Sequence, residues 1–282
     1  MIDHVRVRVP ATTANLGPGF DSLGIALKLA NTTTVRRDGD DPHEPMIAQA
    51  AEAFFEASGV KRFPFSWSIR GAVPRSRGLG SSVTVRLGLL HGLNRLAGSP
   101  LDADAVYRLC ARLEGHPDNA APAAFGGFTV SRPDFSCQRF RVSSRVKFVL
   151  LIPDFEVRTE DARKVLPASV SLHDAARNAA NAGAIAAAFA SANYDALRGC
   201  FTDYLHQPYR APLVPGLDAI IQAGVDAGAI GGWLSGSGST IACLTLGNAG
   251  QVASAMKETS GFESAEVVIT TADNRGVTIT EG

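Results

Sequence analysis

The stretch "RGLGSSVTVRLG", Arg77 to Gly88, sets two glycines and two serines in front of a run that reads as a helix. The first turn of a helix leaves backbone N–H groups without intrahelical partners and carries roughly half a positive charge. Gly78 and Gly80 let the backbone come close to a ligand, and Ser81 and Ser82 add hydroxyls. The stretch therefore reads as an anion site suited to a di- or triphosphate. It is not the common P-loop. Counting from Gly78, Val83-Thr84 stands where that pattern needs Gly-Lys. The plain alternative is a glycine turn with a serine cap.

The surrounding chain gives this loop a setting. Upstream, Val5, Val7 and Val9 alternate with polar residues, which predicts a half-buried strand and not an apolar leader segment. "LGIALKLANTTTV" and "FSWSIRGAVP" read as further strands, with a helix over Met46–Ser58 between them. Downstream, the helix runs from Val83 to Ala97, and Asp102 can cap a second that ends near Glu114. "FGGFTVSR" and "VKFVLLIP" are strands. Beyond Pro153 the pattern changes to helices over Leu172–Ala192, Tyr194–His206 and "PGLDAIIQAGVDAGA". Two strands in "GWLSGSGSTIACLTL", a helix at "GQVASAMKET" and a last strand "AEVVITT" follow. The second half reads β-α-α-α-β-β-α-β, an α+β pattern with a mostly antiparallel sheet. A soft boundary near 150 divides the chain into residues 1–150 and 151–282.

The 282 residues balance 27 Lys and Arg against 27 Asp and Glu, so the formal charge is zero and argues against a general nucleic-acid binder. No apolar run approaches membrane-spanning length, so no membrane partner is expected. The four cysteines are far apart and form no CxxC pair, which suits reduced thiols in a cytoplasmic protein.

Three other stretches can carry chemistry. "PATTANLGPGFDSLG" (Pro10–Gly24) places Asn15 and Asp21 in a Gly/Pro-rich loop able to hold a small polar substrate, or to be a surface turn. "EGHPDNAAPAAFGGF" (Glu114–Phe128) crowds Glu114, His116, Asp118 and Asn119 at a helix end. These residues suit a metal, a positioned hydroxyl or plain helix caps. Zinc is disfavoured because His116 is the one local soft ligand, whereas the oxygens of Glu114 and Ser82 suit Mg²⁺. "LSGSGST" (Leu234–Thr240) is a second Gly-Ser loop, with a Gly-rich hairpin as its plain reading; Ser235 spoils the hydrolase elbow pattern.

Taken in order, "PATTANLGPGFDSLGIAL", "VPRSRGLGSSVTV", "EGHPDNAAPAAFGGF" and "LSGSGST" resemble the GHMP kinase superfamily, and the first and third resemble its homoserine kinase branch closely. "TEDARKVLP" and "LHQPYRAPLVPGL" resemble later segments of that branch, so the likeness runs from about Val5 to Leu246. The resemblance implies a two-domain α+β fold. The N-terminal ATP-binding domain would be ribosomal S5 domain 2-like α/β, and the C-terminal domain ferredoxin-like. It also implies transfer of phosphate from ATP to L-homoserine, with Mg²⁺ as cofactor and a homodimer as the family's usual assembly.

The resemblance carries over roles position by position. Pro74, Gly78, Leu79, Gly80, Ser81 and Ser82 match the phosphate-binding motif, and Ser82 and Glu114 match the residues that hold Mg²⁺. Asn15, Asp21, His116 and Asn119 match positions lining the amino-acid pocket. Thr159, Arg163 and Arg210 match positions near the substrate hydroxyl and carboxylate. A carboxylate suits a two-pronged arginine partner, and an α-ammonium suits Asp21 or Asn15. Asn119, Thr159 and Arg163 are the catalytic candidates. An amide at 119 cannot accept the hydroxyl proton, so the expected mechanism is base-free, with Asp118 the rival base. The departures are Val83, Thr84 and Val85, β-branched where the family pattern has small residues, and the added charge of Arg86. "VRRDGDDPHEP" (Val35–Pro45) also lacks an Asn to seat an adenine. Two alternatives stay open: another GHMP kinase acting on a related hydroxylated amino acid, and a catalytically inactive binding protein on the same fold.

Overall fold

The computed structural model describes residues 3–39 and 43–281; part of the stretch without the adenine Asn, residues 40–42, lies outside them. In chain order the elements are β1 (His4–Ala14), β2 (Leu23–Arg36), α1 (Pro45–Ser58), β3 (Ser66–Gly71), α2 (Ser81–Leu96), α3 (Ala103–Glu114) and α4 (Ala120–Phe125). Then follow β4 (Phe128–Ser131), β5 (Cys137–Phe140), β6 (Lys147–Ile152), α5 (Thr159–Lys164), α6 (Leu172–Ser191), α7 (Gln207–Arg210) and α8 (Leu217–Asp226). β7 (Gly231–Leu234), β8 (Ile241–Thr245), α9 (Ala249–Ser260), β9 (Glu266–Thr270) and β10 (Thr278–Glu281) close the chain.

The first sheet has the order β10-β1-β2-β4-β5, with β3 also paired to β2, all antiparallel. The alternation read in β1 holds: Val5, Val7 and Val9 are fully buried while Arg6 faces solvent. The β1–β2 register slips between Pro10 and Ala11, where proline has no N–H to give the ladder. α2 lies across β1 and β2 with α1 and α3 beside it. Asp102 caps α3 as expected, accepting from the Ala105 amide at 2.8 Å.

β6 to β9 form a second antiparallel sheet in the order β7-β8-β6-β9. Counted within that sheet the order is 4-1-3-2, the split β-α-β arrangement of a ferredoxin-like unit. Two features join the halves. One apolar cluster takes Leu16, Ile25 and Leu27 from the first sheet's side and Phe148, Leu150 and Trp233 from the second. The chain also returns after β9, and β10 pairs with β1, Val5 opposite Glu281 and Arg8 opposite Thr278. A division at 150 therefore cuts through β6, and the last strand is β10 and not "AEVVITT".

A second correction concerns Tyr194–His206, read as one helix. Only a single 3₁₀ turn, Tyr194–Leu197, forms there. Gly199 takes a left-handed conformation (φ 78°), and the Asp203 carboxylate accepts the amides of Leu205, His206 and Gln207, which starts the chain afresh at α7. The four cysteines are free. No helix among the described residues is long and apolar enough to cross a membrane.

His91 is buried within α2, and burial pushes its imidazole down to about 4. Unfolded histidine titrates near 6.5, so below that pH the unfolded chain binds the extra proton. His91 thus supports the fold at neutral pH, and this support fades as pH falls, by about 3 kcal/mol at pH 4. His91→Leu is expected to lose about that much less stability than the wild type between about pH 7 and about pH 4. Urea unfolding at the two pH values checks it; equal losses in both proteins would refute the assignment.

Candidate active site

The site begins where α2 begins. Gly78 and Gly80 both have positive φ, 72° and 66°. A Cβ on Gly78 would lie 2.0 Å from the Ser235 carbonyl oxygen, and one on Gly80 2.1 Å from Thr12 Oγ1. Glycine is needed at both places for the backbone sign and for the room. No side chain caps α2, so its first N–H groups are left to the cavity in front of them. The "LSGSGST" loop, between β7 and β8, is the other wall. Ser235 Oγ donates to the Gly78 carbonyl at 2.7 Å, and the Thr240 amide donates to the Arg77 carbonyl at 3.1 Å. That loop is a buttress for the first one.

The cavity has a volume of 410 Å³. It brings together Asn15, Asp21, Gly78, Gly80, Ser81, Ser82, Glu114, His116, Asn119, Thr159, Arg163 and Arg210. Two positions of the motif stay out of it. Leu79 is fully buried in the cluster shared by the two sheets, and Pro74 does not line the cavity. The reading of the sequence missed Ser76, Gly236 and Ser237, which also line it, as does Arg86, singled out there only as an added charge without a role. It missed Phe20 too. The Arg163 and Arg210 guanidinium carbons lie 5.6 Å and 5.1 Å from the Phe20 ring centre, and His206 stacks on the ring at 5.0 Å.

At one end, Arg210 on α7 is 2% exposed. Its Nε donates to the Ala162 carbonyl at 3.0 Å and its Nη1 to the Gly236 carbonyl at 3.2 Å. Nη2 has no hydrogen-bond partner among the described residues. Burial, and then the neighbouring Arg163, pull its pKa to about 10, so it stays charged at neutral pH. Arg163 Nη2 donates to both Asp21 carboxylate oxygens, at 2.9 and 3.1 Å. Asn15 Nδ2 donates to the Gly236 carbonyl at 3.0 Å, and its Oδ1 accepts the Asp21 amide at 3.1 Å. Thr159, the first residue of α5, has its hydroxyl 3.5 Å from that of Ser237.

The floor is the α3–α4 turn. His116 Nδ1 is 2.6 Å from Asp118 Oδ1, which also accepts the Asn119 amide at 2.9 Å. Burial pulls the His116 imidazole down, but the hydrogen bond and charge of Asp118 and the charge of Asp21 outweigh it, and the net direction is up. Asn119 Oδ1 accepts the Thr12 hydroxyl at 2.6 Å. Asp21, His116 and Asp118 bring donor atoms within 4.8 Å of one another. Arg163 pairs with Asp21 and His116 with Asp118, so two hydrogen-bonded pairs stand side by side here.

At the other end, Ser82 Oγ donates to Glu114 Oε2 at 2.8 Å. Two ligands on adjacent corners of an octahedron with Mg²⁺ bond lengths are about 2.9 Å apart. A hydroxyl and a carboxylate at this spacing, beside an anion-binding helix start, fit a hard, oxygen-preferring ion. A second cavity of 610 Å³ shares Ser76, Ser81 and Ser82 with the first and is lined by Trp67, Ile69, Val73 and Val85.

Comparisons with known proteins place the chain in a family. The family model for the GHMP kinases N terminal domain matches residues 45–127, and that for the GHMP kinases C terminal matches residues 174–260. The chain is 37% identical to the homoserine kinase of Clostridium beijerinckii over 99% of each chain. The chain belongs to the GHMP kinase family. It is also 39% identical to the homoserine kinase of Moorella thermoacetica, over 89% of this chain and 90% of that one. Among solved structures, the homoserine kinase from Cytophaga hutchinsonii aligns with a TM-score of 0.90 at 26% identity, covering 99% of this chain and 98% of that one. The mevalonate kinase of Methanococcus jannaschii, at 15% identity and a TM-score of 0.72 over 96% of this chain and 99% of that one, shares the fold. The two-domain fold implied by the motifs is thus that of a GHMP kinase, an ATP-dependent enzyme acting on a hydroxyl group. The two matched segments hold α1–α4 and most of α6 through α9.

Proposed function

We propose that this GHMP kinase transfers the γ-phosphate of ATP to the hydroxyl of L-homoserine, giving O-phospho-L-homoserine for threonine synthesis. One observation carries the reading: a buried, charged Arg210 shares a 410 Å³ cavity with an uncapped helix N-terminus. That pairing suits a substrate with a carboxylate at one end and a phosphate acceptor at the other. Arg210 takes the carboxylate, while Asp21 and Asn15 face the α-ammonium. Residues 1–150 supply the nucleotide side, and Thr159, Arg163 and Arg210 reach in from 151–282.

The triphosphate lies against the α2 amides and the hydroxyls of Ser81 and Ser82. The adenine enters the 610 Å³ cavity, where Trp67, Ile69 and Val73 offer apolar contact. That seat makes up for the missing Asn in the 35–45 stretch. Ser82 and Glu114 hold Mg²⁺, which when bound neutralises charge on the phosphates. Asn119 has its amide oxygen taken by Thr12 and cannot serve as a base. Asp118 Oδ1 already serves His116 and Asn119. The residues therefore align the substrate hydroxyl, with Thr159 beside it, and leave its proton to the transferred phosphate or to water. Phosphoryl transfer through a loose transition state needs little more than alignment and charge neutralisation. Free thiols and balanced charge favour a cytoplasmic enzyme.

A coupled ADP-release assay with MgATP tests the reading against L-homoserine, L-threonine, L-serine, mevalonate and galactose. Turnover with L-homoserine is expected to exceed that with L-serine, one methylene shorter, by about a hundredfold, and that with every other by at least as much. Turnover with another substrate, or with none, would overturn it.

A further inference from the structure

Arg86 lies one turn beyond Ser82 on α2, so both side chains share a face and both reach Glu114. Ser82 holds Oε2, and Arg86 Nη1 donates to Oε1 at 2.6 Å. The Glu114 side chain is 8% exposed and that of Arg86 12%. Arg86 Nη2 donates to Gln49 Oε1 on α1 at 3.1 Å, which fixes the plane of the guanidinium. Its Nε is buried without a hydrogen-bond partner, and the residue lines the same cavity as Ser82 and Glu114. The carboxylate that faces the metal position therefore carries a built-in cation on its other oxygen.

We propose that Arg86 is a positioning residue that makes metal binding conditional on nucleotide. It presents Glu114 to Mg²⁺ through Oε2 alone and offsets the carboxylate's charge. This deepens the reading of Ser82 and Glu114 as metal ligands, and rests on it. In the empty protein the guanidinium repels a divalent ion and cancels the charge that would attract it. When a nucleotide is present, its phosphates supply enough negative charge for both cations. The site then takes metal–nucleotide in preference to free metal. The guanidinium also adds a fixed positive charge beside the phosphates, which no water has to reorganise to provide.

Manganese EPR titration tests this on the wild type, Arg86→Met, Arg86→Gln and Arg86→Lys, with and without a non-hydrolysable ATP analogue. Arg86→Gln keeps a donor for Glu114 and loses the charge alone, so it serves if Arg86→Met fails to fold. Without nucleotide, both uncharged variants are expected to bind Mn²⁺ about tenfold more tightly than the wild type, and Arg86→Lys within about threefold of it. With the analogue, the four proteins are expected to lie within about threefold of one another. Equal nucleotide-free Mn²⁺ affinity in wild type and Arg86→Gln, with Mn²⁺ still bound alongside the analogue, would overturn the role of Arg86. It would reduce the arginine to a brace between α1 and α3, and leave the metal site standing. A wild type that takes no Mn²⁺ even with the analogue would remove the metal reading and this proposal with it.

Discussion

Arg210→Met is expected to lower kcat/KM for L-homoserine about a hundredfold, since Nη2, the nitrogen without a partner among the described residues, would bond the carboxylate, and a hydrogen bond to a charged partner is worth about 1.5–3 kcal/mol. Arg210 is the buried cation of the substrate end, and its neighbours fix it: Ala162 and Gly236 carbonyls hold Nε and Nη1, and Phe20 lies against the guanidinium. Methionine keeps much of the volume and takes the arginine's donor away from the Ala162 carbonyl, while the Gly236 carbonyl keeps Asn15 Nδ2. The loss should fall mainly on KM for the amino acid, because the carboxylate is bound alike before and during phosphoryl transfer. KM for ATP should move little, because the nucleotide side lies across the cavity. The check is steady-state kinetics with each substrate varied in turn, beside a melting curve. A variant whose KM for homoserine is unchanged would place the carboxylate elsewhere.

Gly78→Ala is expected to cost about 4 kcal/mol of stability and to abolish nucleotide binding, combining a left-handed backbone that alanine resists with a backbone collision. The new Cβ would lie 2.0 Å from the Ser235 carbonyl oxygen, an atom of the buttressing loop that cannot rotate away as a side chain could. Gly98→Ala is the control. Gly98 has a similar φ of 86° and nothing within 4 Å of a Cβ, so it bears the conformational cost alone, about 1 kcal/mol. Urea unfolding and titration with a fluorescent ATP analogue separate the two. If both variants melted together and bound nucleotide alike, the contact between the two Gly-Ser loops would be dispensable.

The local readings of the sequence served where the physics is local. The glycines and serines of 78–82 announced an uncapped helix start, and Asp102 announced its cap. Thr84, the middle of the β-branched run that looked out of place on α2, has its reason in a contact that no local pattern reveals. Thr84 Oγ1 accepts from Asn31 Nδ2 at 2.9 Å and donates back to the Ser81 carbonyl at 2.7 Å. Asn31 Oδ1 in turn holds the Val73 amide at 3.1 Å. Arg86 was visible as an added charge, but its partner Glu114 sits 28 residues on, on another helix. Phe20 stayed hidden because its role depends on two arginines from the other half. Tyr194–His206 looked helical by composition, whereas Gly199 and the Asp203 side chain decide it. β10 is four residues long, and its partner is the far end of the chain.

That partnership bears on how the molecule is made. Synthesis runs from the amino end, so β1 emerges first and waits with one edge unpaired until residues 278–281 have left the ribosome. An open strand edge is the usual starting point for wrong pairings between chains. Arg6 and Arg8, alternating along β1, keep that waiting edge charged, and Arg8 then closes on Asp273 at 2.8 Å as the last segment arrives. The half of the enzyme built on the first sheet is thus finished last at its outer rim, although nearly all of it is synthesised first.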